Sequence, residues 1–174
     1  MYNNLIKSLE IALNSKFNQK NVFKKCKTIK GKTQSAEHIY MDYVKQVFYE
    51  QSLNFDEASS QSPKDIRVIE PKLNFEVKKT DKTTIILNDT CPSSDVYYIY
   101  IITGTKKFKP HIKIINGQEF INENQWYKDY INEVDKLRDI YCRGLNKKCK
   151  NTPLKCYLRP TWSVDLTHFN LLKN

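Results

Sequence analysis

Apolar residues follow a helical period near both ends of the chain and a strand period between them. Leu5, Leu9, Ala12 and Leu13 share one stripe, which predicts an amphipathic helix over about residues 2–15. The stretch KKCKTIKGKTQ, Lys24 to Gln34, lacks that period and reads as an exposed connection. Helical spacing returns in SAEHIYMDYVKQVFYEQ. Ser35 is placed there to cap the N-terminus, and Tyr40, Met41, Val44, Val47 and Phe48 form the apolar stripe.

Four segments rich in Val, Ile, Tyr and Phe follow: DIRVIE (65–70), LNFEVKKT (73–80), TTIILND (83–89) and DVYYIYIIT (95–103). Their short connections predict that the first three form an antiparallel meander. The fourth is nearly continuous in apolar residues and predicts a strand covered on both faces. HIKIING (111–117) predicts a fifth strand. A long helix is expected over about 123–145, with Trp126, Tyr130, Val134, Leu137 and Tyr141 on its apolar face. Beyond the basic loop NKKCKNTP, the segment LKCYLRPTWSVDL predicts one or two further strands. The expected fold class is α/β, a mixed central sheet of about five strands flanked by helices.

A length of 174 residues, 40% hydrophobic and 28% charged, suits one folded domain over 1–174. The excess of 29 Lys+Arg over 19 Asp+Glu, a formal charge of +10, favours a polyanionic partner, nucleic acid above all. Abundant Lys, Asn, Ile and Tyr would also follow from AT-rich coding. The N-terminal segment is neither signal peptide nor membrane span, so a cytoplasmic location and no membrane partner are expected. The five cysteines, Cys26, Cys91, Cys142, Cys149 and Cys156, are odd in number, form no CxxC pair and read as free thiols.

The candidate chemistry lies in SPKDIRVIEPKLNFEVKKT, Ser62 to Thr80. Alternation sorts the second strand into an apolar face of Leu73, Phe75 and Val77 and a face carrying Asn74, Glu76, Lys78 and Thr80. If DIRV pairs with it, Asp65 reaches that second face. Two carboxylates and an ammonium then surround one small volume. Such carboxylates repel unless a cation lies between them, and a hard divalent ion such as Mg2+ suits oxygen ligands. An ion of that kind activates water and steadies phosphate charge, while the lysine adds a positive charge beside the attacking water.

Pro63, Asp65 and, one strand later, Glu76-Val77-Lys78 resemble the signature of the PD-(D/E)xK nuclease superfamily, in particular its type II restriction endonucleases. Lys64 separates the proline from the aspartate, a departure in the loosest part of the pattern. The order of elements extends the likeness to about residues 35–103. The resemblance implies a restriction-endonuclease-like sheet and Mg2+-dependent, sequence-specific cleavage of double-stranded DNA by a homodimer. It implies Asp65, Glu76 and the Val77 carbonyl as metal ligands, and Lys78 as the residue that positions the nucleophilic water. A helix before the hairpin often supplies a further acid in that superfamily. Glu37 falls on the apolar stripe, about 20° from Val44, whereas Glu50 points about 120° away. Glu37 is therefore expected to assist catalysis, although a helix-start glutamate would also favour the helix dipole.

Basic clusters are expected to meet DNA phosphates and base edges: Lys106, Lys107, Lys109 and Lys113 around Phe108, and Arg143, Lys147, Lys148, Lys150, Lys155 and Arg159 near Tyr157. Asn88 either caps a turn or approaches DNA. Tyr157, Trp162 and the tyrosines of YYIYI read as core. Two other functions remain open. One is a structure-specific nuclease such as a junction resolvase or repair enzyme. The other is a non-catalytic nucleic-acid-binding protein whose Asp65, Glu76 and Lys78 form an ordinary surface salt bridge.

Overall fold

The computed structural model describes residues 2–27, 37–57, 65–88, 92–104, 108–122, 125–143 and 162–167. Helix α1 (Asn3–Gln19) is longer than the apolar stripe alone predicts, because Phe17 adds a further buried turn. A short helix, α2 (Val22–Lys25), follows it. The segment expected to be an exposed connection thus opens with a helical turn, and it is anchored by the fully buried Cys26. Helix α3 (Glu37–Glu50) carries the expected stripe, with Tyr40, Val44, Val47 and Phe48 buried. Ser35, its expected cap, lies outside the described residues.

Strands β1 (Phe55–Glu57), β2 (Ile66–Val68), β3 (Leu73–Thr80), β5 (Val96–Ile102) and β6 (His111–Asn116) form one mixed sheet in the order β1-β2-β3-β5-β6. The fold is the expected one: a mixed five-stranded sheet flanked by helices. Its short edge strand β1 has no counterpart among the predicted elements. Strands β2 and β3 are antiparallel, β3 and β5 parallel, and β5 and β6 antiparallel.

The predicted three-strand meander does not form. Strand β4 (Thr84–Asn88) leaves the sheet and pairs instead with β7 (Trp162–Asp165) in a separate two-stranded ribbon. The bend between β3 and β4 is held by hydrogen bonds of a kind that alternation does not reveal. The Thr80 hydroxyl donates to the Thr84 carbonyl at 2.7 Å and accepts from the Lys82 N–H at 3.1 Å. Thr103 ties the end of β5 into the same bend, its N–H donating to the Thr80 carbonyl at 3.0 Å.

Each face of the sheet carries its own core. Leu73, Phe75, Val77, Ile99 and Ile101 pack against α1 and α3, confirming the predicted apolar face of β3. Tyr98, Tyr100 and Ile102 pack on the other side against Ile85 and Leu87 of β4, Val164 of β7 and Phe120 of helix α4 (Gly117–Asn122). The tyrosines of YYIYI and Trp162 thus belong to or pack on the cores, as expected. The long C-terminal helix is described as α5 (Gln125–Leu137), which continues into a π-helical turn over Arg138–Arg143.

Helix α1 also completes the outer edge of β6. The Asn14 carboxamide donates to the Ile112 carbonyl at 2.9 Å and accepts from the Ile112 N–H at 2.8 Å, and Glu10 accepts from the Ile114 N–H at 2.9 Å. Removing the carboxamide strands two backbone groups of a buried residue, a loss of about 2 kcal/mol. Asn14→Ala should lower unfolding free energy by that amount in urea titrations. Ser8→Ala, which removes an exposed hydrogen bond to Gln51, should change it by less than about 0.5 kcal/mol. Equal effects would show that the edge bonds add nothing.

Candidate active site

Asp65 is the first described residue of its segment and directly precedes β2. Its N–H donates to the Phe75 carbonyl at 2.9 Å, so the β2–β3 ladder extends to it and sets it opposite Glu76. Its carboxylate then turns onto the next backbone group, Oδ2 accepting from the Val77 N–H at 2.7 Å. The N–H and carbonyl of a strand residue point to the same edge. The Val77 carbonyl therefore faces the same edge of β3, beside Asp65.

Glu76 and Lys78 share one face of β3, as alternation requires, and their side chains meet with Lys78 Nζ 2.5 Å from Glu76 Oε1. That face is not a solvent face. In the parallel register Glu76 neighbours Tyr98 and Lys78 neighbours Tyr100, on the side packed by β4, β7 and α4. Glu76 is only 7% exposed, and its second oxygen, Oε2, is buried without a hydrogen-bond partner. Burial pushes its carboxyl up to about 7. Lys78 opposes that rise, and Asp65 and then Glu37 add to it. One ammonium does not offset the desolvation and the two neighbouring carboxylates.

Glu37 is exposed, contrary to the expected buried position, because it begins the first turn of α3, ahead of the first buried residue, Tyr40. Its charge nevertheless adds, as the smallest contribution, to the rise at Glu76. Glu50 instead pairs with Lys16 at 2.5 Å. Tyr40 is a member of this neighbourhood that sequence reasoning assigned only to the core. Its hydroxyl is pushed above the usual tyrosine range by burial, then by Glu37 and Asp65, with Cys26 and Glu76 adding less. The available signal was its spacing of three residues from Glu37 on the same stripe.

The donor set suits a hard cation in chemistry: carboxylate oxygens of Asp65 and Glu76, one of them buried and unpartnered, and the adjacent Val77 carbonyl. It contains only two closely set carboxylates. No cluster of three or more His, Cys, Asp or Glu able to hold a metal occurs among the described residues.

Lys109 is exposed before β6, and its carbonyl is hydrogen-bonded to His111. Lys113, by contrast, is paired with Glu10 at 3.1 Å. Asn88 ends β4 opposite Trp162, and Arg143 ends the π-helical turn. Lys106, Lys107, Lys147, Lys148, Lys150, Lys155 and Arg159 lie outside the described residues. Cys26 is a free thiol, pushed up to about 11 by burial. No helix among the described residues is long and apolar enough to cross a membrane. No protein-family model matches the chain, and no curated protein or solved structure matches it.

The raised carboxyl of Glu76 has a stability consequence of definite sign. Its folded-state value near 7 lies above the ordinary 4.5, so the native state holds this proton more tightly than the unfolded chain. The stabilisation is full below about pH 4.5 and is lost as pH rises through about 7, some ~3 kcal/mol in all. Glu76→Gln, which keeps the shape without the titration, should therefore gain stability over wild type across that window in EDTA. Melting temperatures from pH 4 to 8 test this, and a difference that does not vary with pH would refute it.

Proposed function

We propose that the chain is a divalent-cation-dependent phosphodiester hydrolase of the PD-(D/E)xK type, acting on double-stranded DNA as a site-specific endonuclease. The observation that carries this reading is the buried, half-unpartnered carboxylate of Glu76, set opposite Asp65 and against Lys78. A merely structural ion pair gives no reason to bury Glu76 Oε2 without a partner while two other carboxylates act on it. A cation-binding role supplies that reason, and it favours this reading over a non-catalytic nucleic-acid-binding protein.

Each residue then has a task that its geometry allows. Asp65 holds its carboxylate on the Val77 N–H, fixing one oxygen and leaving the other to bind. Glu76 supplies Oε2. Asp65, Glu76 and the Val77 carbonyl would hold Mg2+, the cation expected here, which would supply positive charge beside the phosphate and a more acidic water. Lys78 places its ammonium beside the carboxylates. It holds the nucleophilic water by hydrogen bonding and offsets charge that develops on the phosphate. Glu37, exposed in the first turn of α3, orients water from the solvent side. The net charge of +10 draws the polyanion in, and two copies of the chain would place one site on each strand of a symmetric sequence.

Plasmid DNA incubated with the protein and Mg2+ should give discrete fragments, and EDTA should stop the reaction. Asp65→Ala, Glu76→Ala and Lys78→Ala should each lower the rate at least about 100-fold, the scale of losing one positioned acid, base or charge donor. Circular dichroism would check that they remain folded. Wild-type-like cleavage by any one of them would remove that residue from the site. Nicking or a smear would favour a structure-specific nuclease.

Glu37 and Glu50 provide an internal contrast on one helix. At saturating DNA, Glu37→Asp should slow cleavage by about tenfold or more, because a shortened reach misplaces the carboxylate. Glu50→Asp should leave the rate near wild type. Equal rates in the two variants would confine the site to the hairpin.

A further inference from the structure

A cavity of about 220 Å3 opens where the elbow between α1 and α2 meets Thr103, Gly104 and Pro110, between β5 and β6. Asn18, Asn21, Lys24 and Lys27 line one side, and Thr103 and Gly104 line the other. Its charged lining is entirely lysine among the described residues. Asp81, next to Thr103, has Oδ1 engaged by the Thr103 hydroxyl at 2.5 Å and by Lys79 at 3.0 Å. The rim is fixed in place by packing. Gly104 has a left-handed φ of +82°, and a Cβ there would come within 2.8 Å of the Pro110 nitrogen. On the opposite rim Asn21 is also left-handed, at φ 54°, turning α1 into α2.

Lys79 ties this cavity to the candidate active site. It follows Lys78 on β3, points to the opposite face, and is largely buried. Its ammonium donates to the Cys26 carbonyl at 2.9 Å, which holds the end of α2, and Lys27 after it, against the catalytic strand. Thr103 on the facing rim bonds Thr80, about 7 Å along β3 from Lys78. Lys78 and the Lys24–Lys27 pair therefore flank the same end of β3 from its two faces.

We infer that the cavity between the α1–α2 elbow and Thr103–Gly104 is a phosphate-binding site, with Lys24 and Lys27 as the charge donors and Lys79 as the residue that positions them. Two ammonium groups and two carboxamides offer hydrogen-bond donors to an anion, and lysine is a usual point-charge partner of phosphate. The volume is below the ~300–1,000 Å3 of pockets for drug-sized ligands, and suits a phosphate with part of its sugar. The phosphate is supplied either by a nucleic-acid backbone or by a free nucleotide. The first source rests on the DNA-binding part of the proposed function and not on cleavage.

The test uses the full chain in EDTA, so that no cleavage enters the measurement. Affinity for a 16-base-pair duplex is recorded against salt for wild type, Lys24→Ala/Lys27→Ala, and a control of equal charge loss, Lys7→Ala/Lys136→Ala. Inorganic phosphate is titrated separately while the Gly104 amide is followed by NMR. A backbone phosphate in the cavity should make the log–log salt slope of Lys24→Ala/Lys27→Ala shallower by about one unit, with the control near wild type. An unchanged slope, with a Gly104 shift on phosphate addition that the double variant loses, identifies a free phosphate or nucleotide instead. No change in either readout, or the same slope change in the control, overturns the site. Absence of cleavage in Mg2+ with the slope effect intact would sink the nuclease reading and leave this one standing.

Discussion

Strands β3 and β5 run parallel, and a parallel pair cannot be closed by a tight turn. Much of the architecture follows from that constraint. The connecting chain has to cross a face of the sheet, so β4 becomes part of a second layer with β7. That layer covers Tyr98, Tyr100 and Ile102, and with them the face of β3 that carries Glu76 and Lys78. A carboxylate that would be hydrated in a simple meander is thereby taken out of water. The electrostatics of the candidate site are a by-product of strand direction.

The same pairing gives neighbouring lysines separate surroundings. Lys78 and Lys79 are adjacent in sequence, yet the pleat sends one to Glu76 and the other to Asp81 and the Cys26 carbonyl. The first lies beside a carboxylate that is short of positive charge. The second is held by acceptors on two different elements. Exchanging their roles would require a slip of one residue in register, which would also take Phe75 and Val77 out of the core they share with α1 and α3.

Helical periods and the apolar alternation of β3 were legible because they reflect which faces are buried. The stripe of α3, the two-sided burial of β5 and the shared face of Glu76 and Lys78 follow from spacing alone. The departure of β4 was not legible, since it depends on hydroxyl contacts from Thr80 and Thr103 that link residues far apart in the chain. Burial of Glu76 was missed for the same reason, because it needs a layer contributed in part by residues 164 and 166. Glu37 was placed on the correct stripe, but spacing cannot tell where along a stripe the packing begins. Tyr40 was read as core, which it is, while the action of Glu37, Asp65 and Glu76 on it joins residues that spacing does not connect.

The outer edge of β6 has a consequence for assembly. Sheets grow by adding a strand to free N–H and carbonyl groups, and such edges are where unrelated chains stick together. Here Asn14 and Glu10 occupy those groups at Ile112 and Ile114 with side chains from α1. A second copy therefore cannot continue the sheet through β6 without first dislodging a helix from the core. The opposite edge, β1, is only three residues long and carries two acidic residues, Asp56 and Glu57, of which Glu57 is paired with Lys45 at 2.7 Å. Growth of the sheet by a further strand is therefore opposed at β6 by side chains of the chain's own first helix.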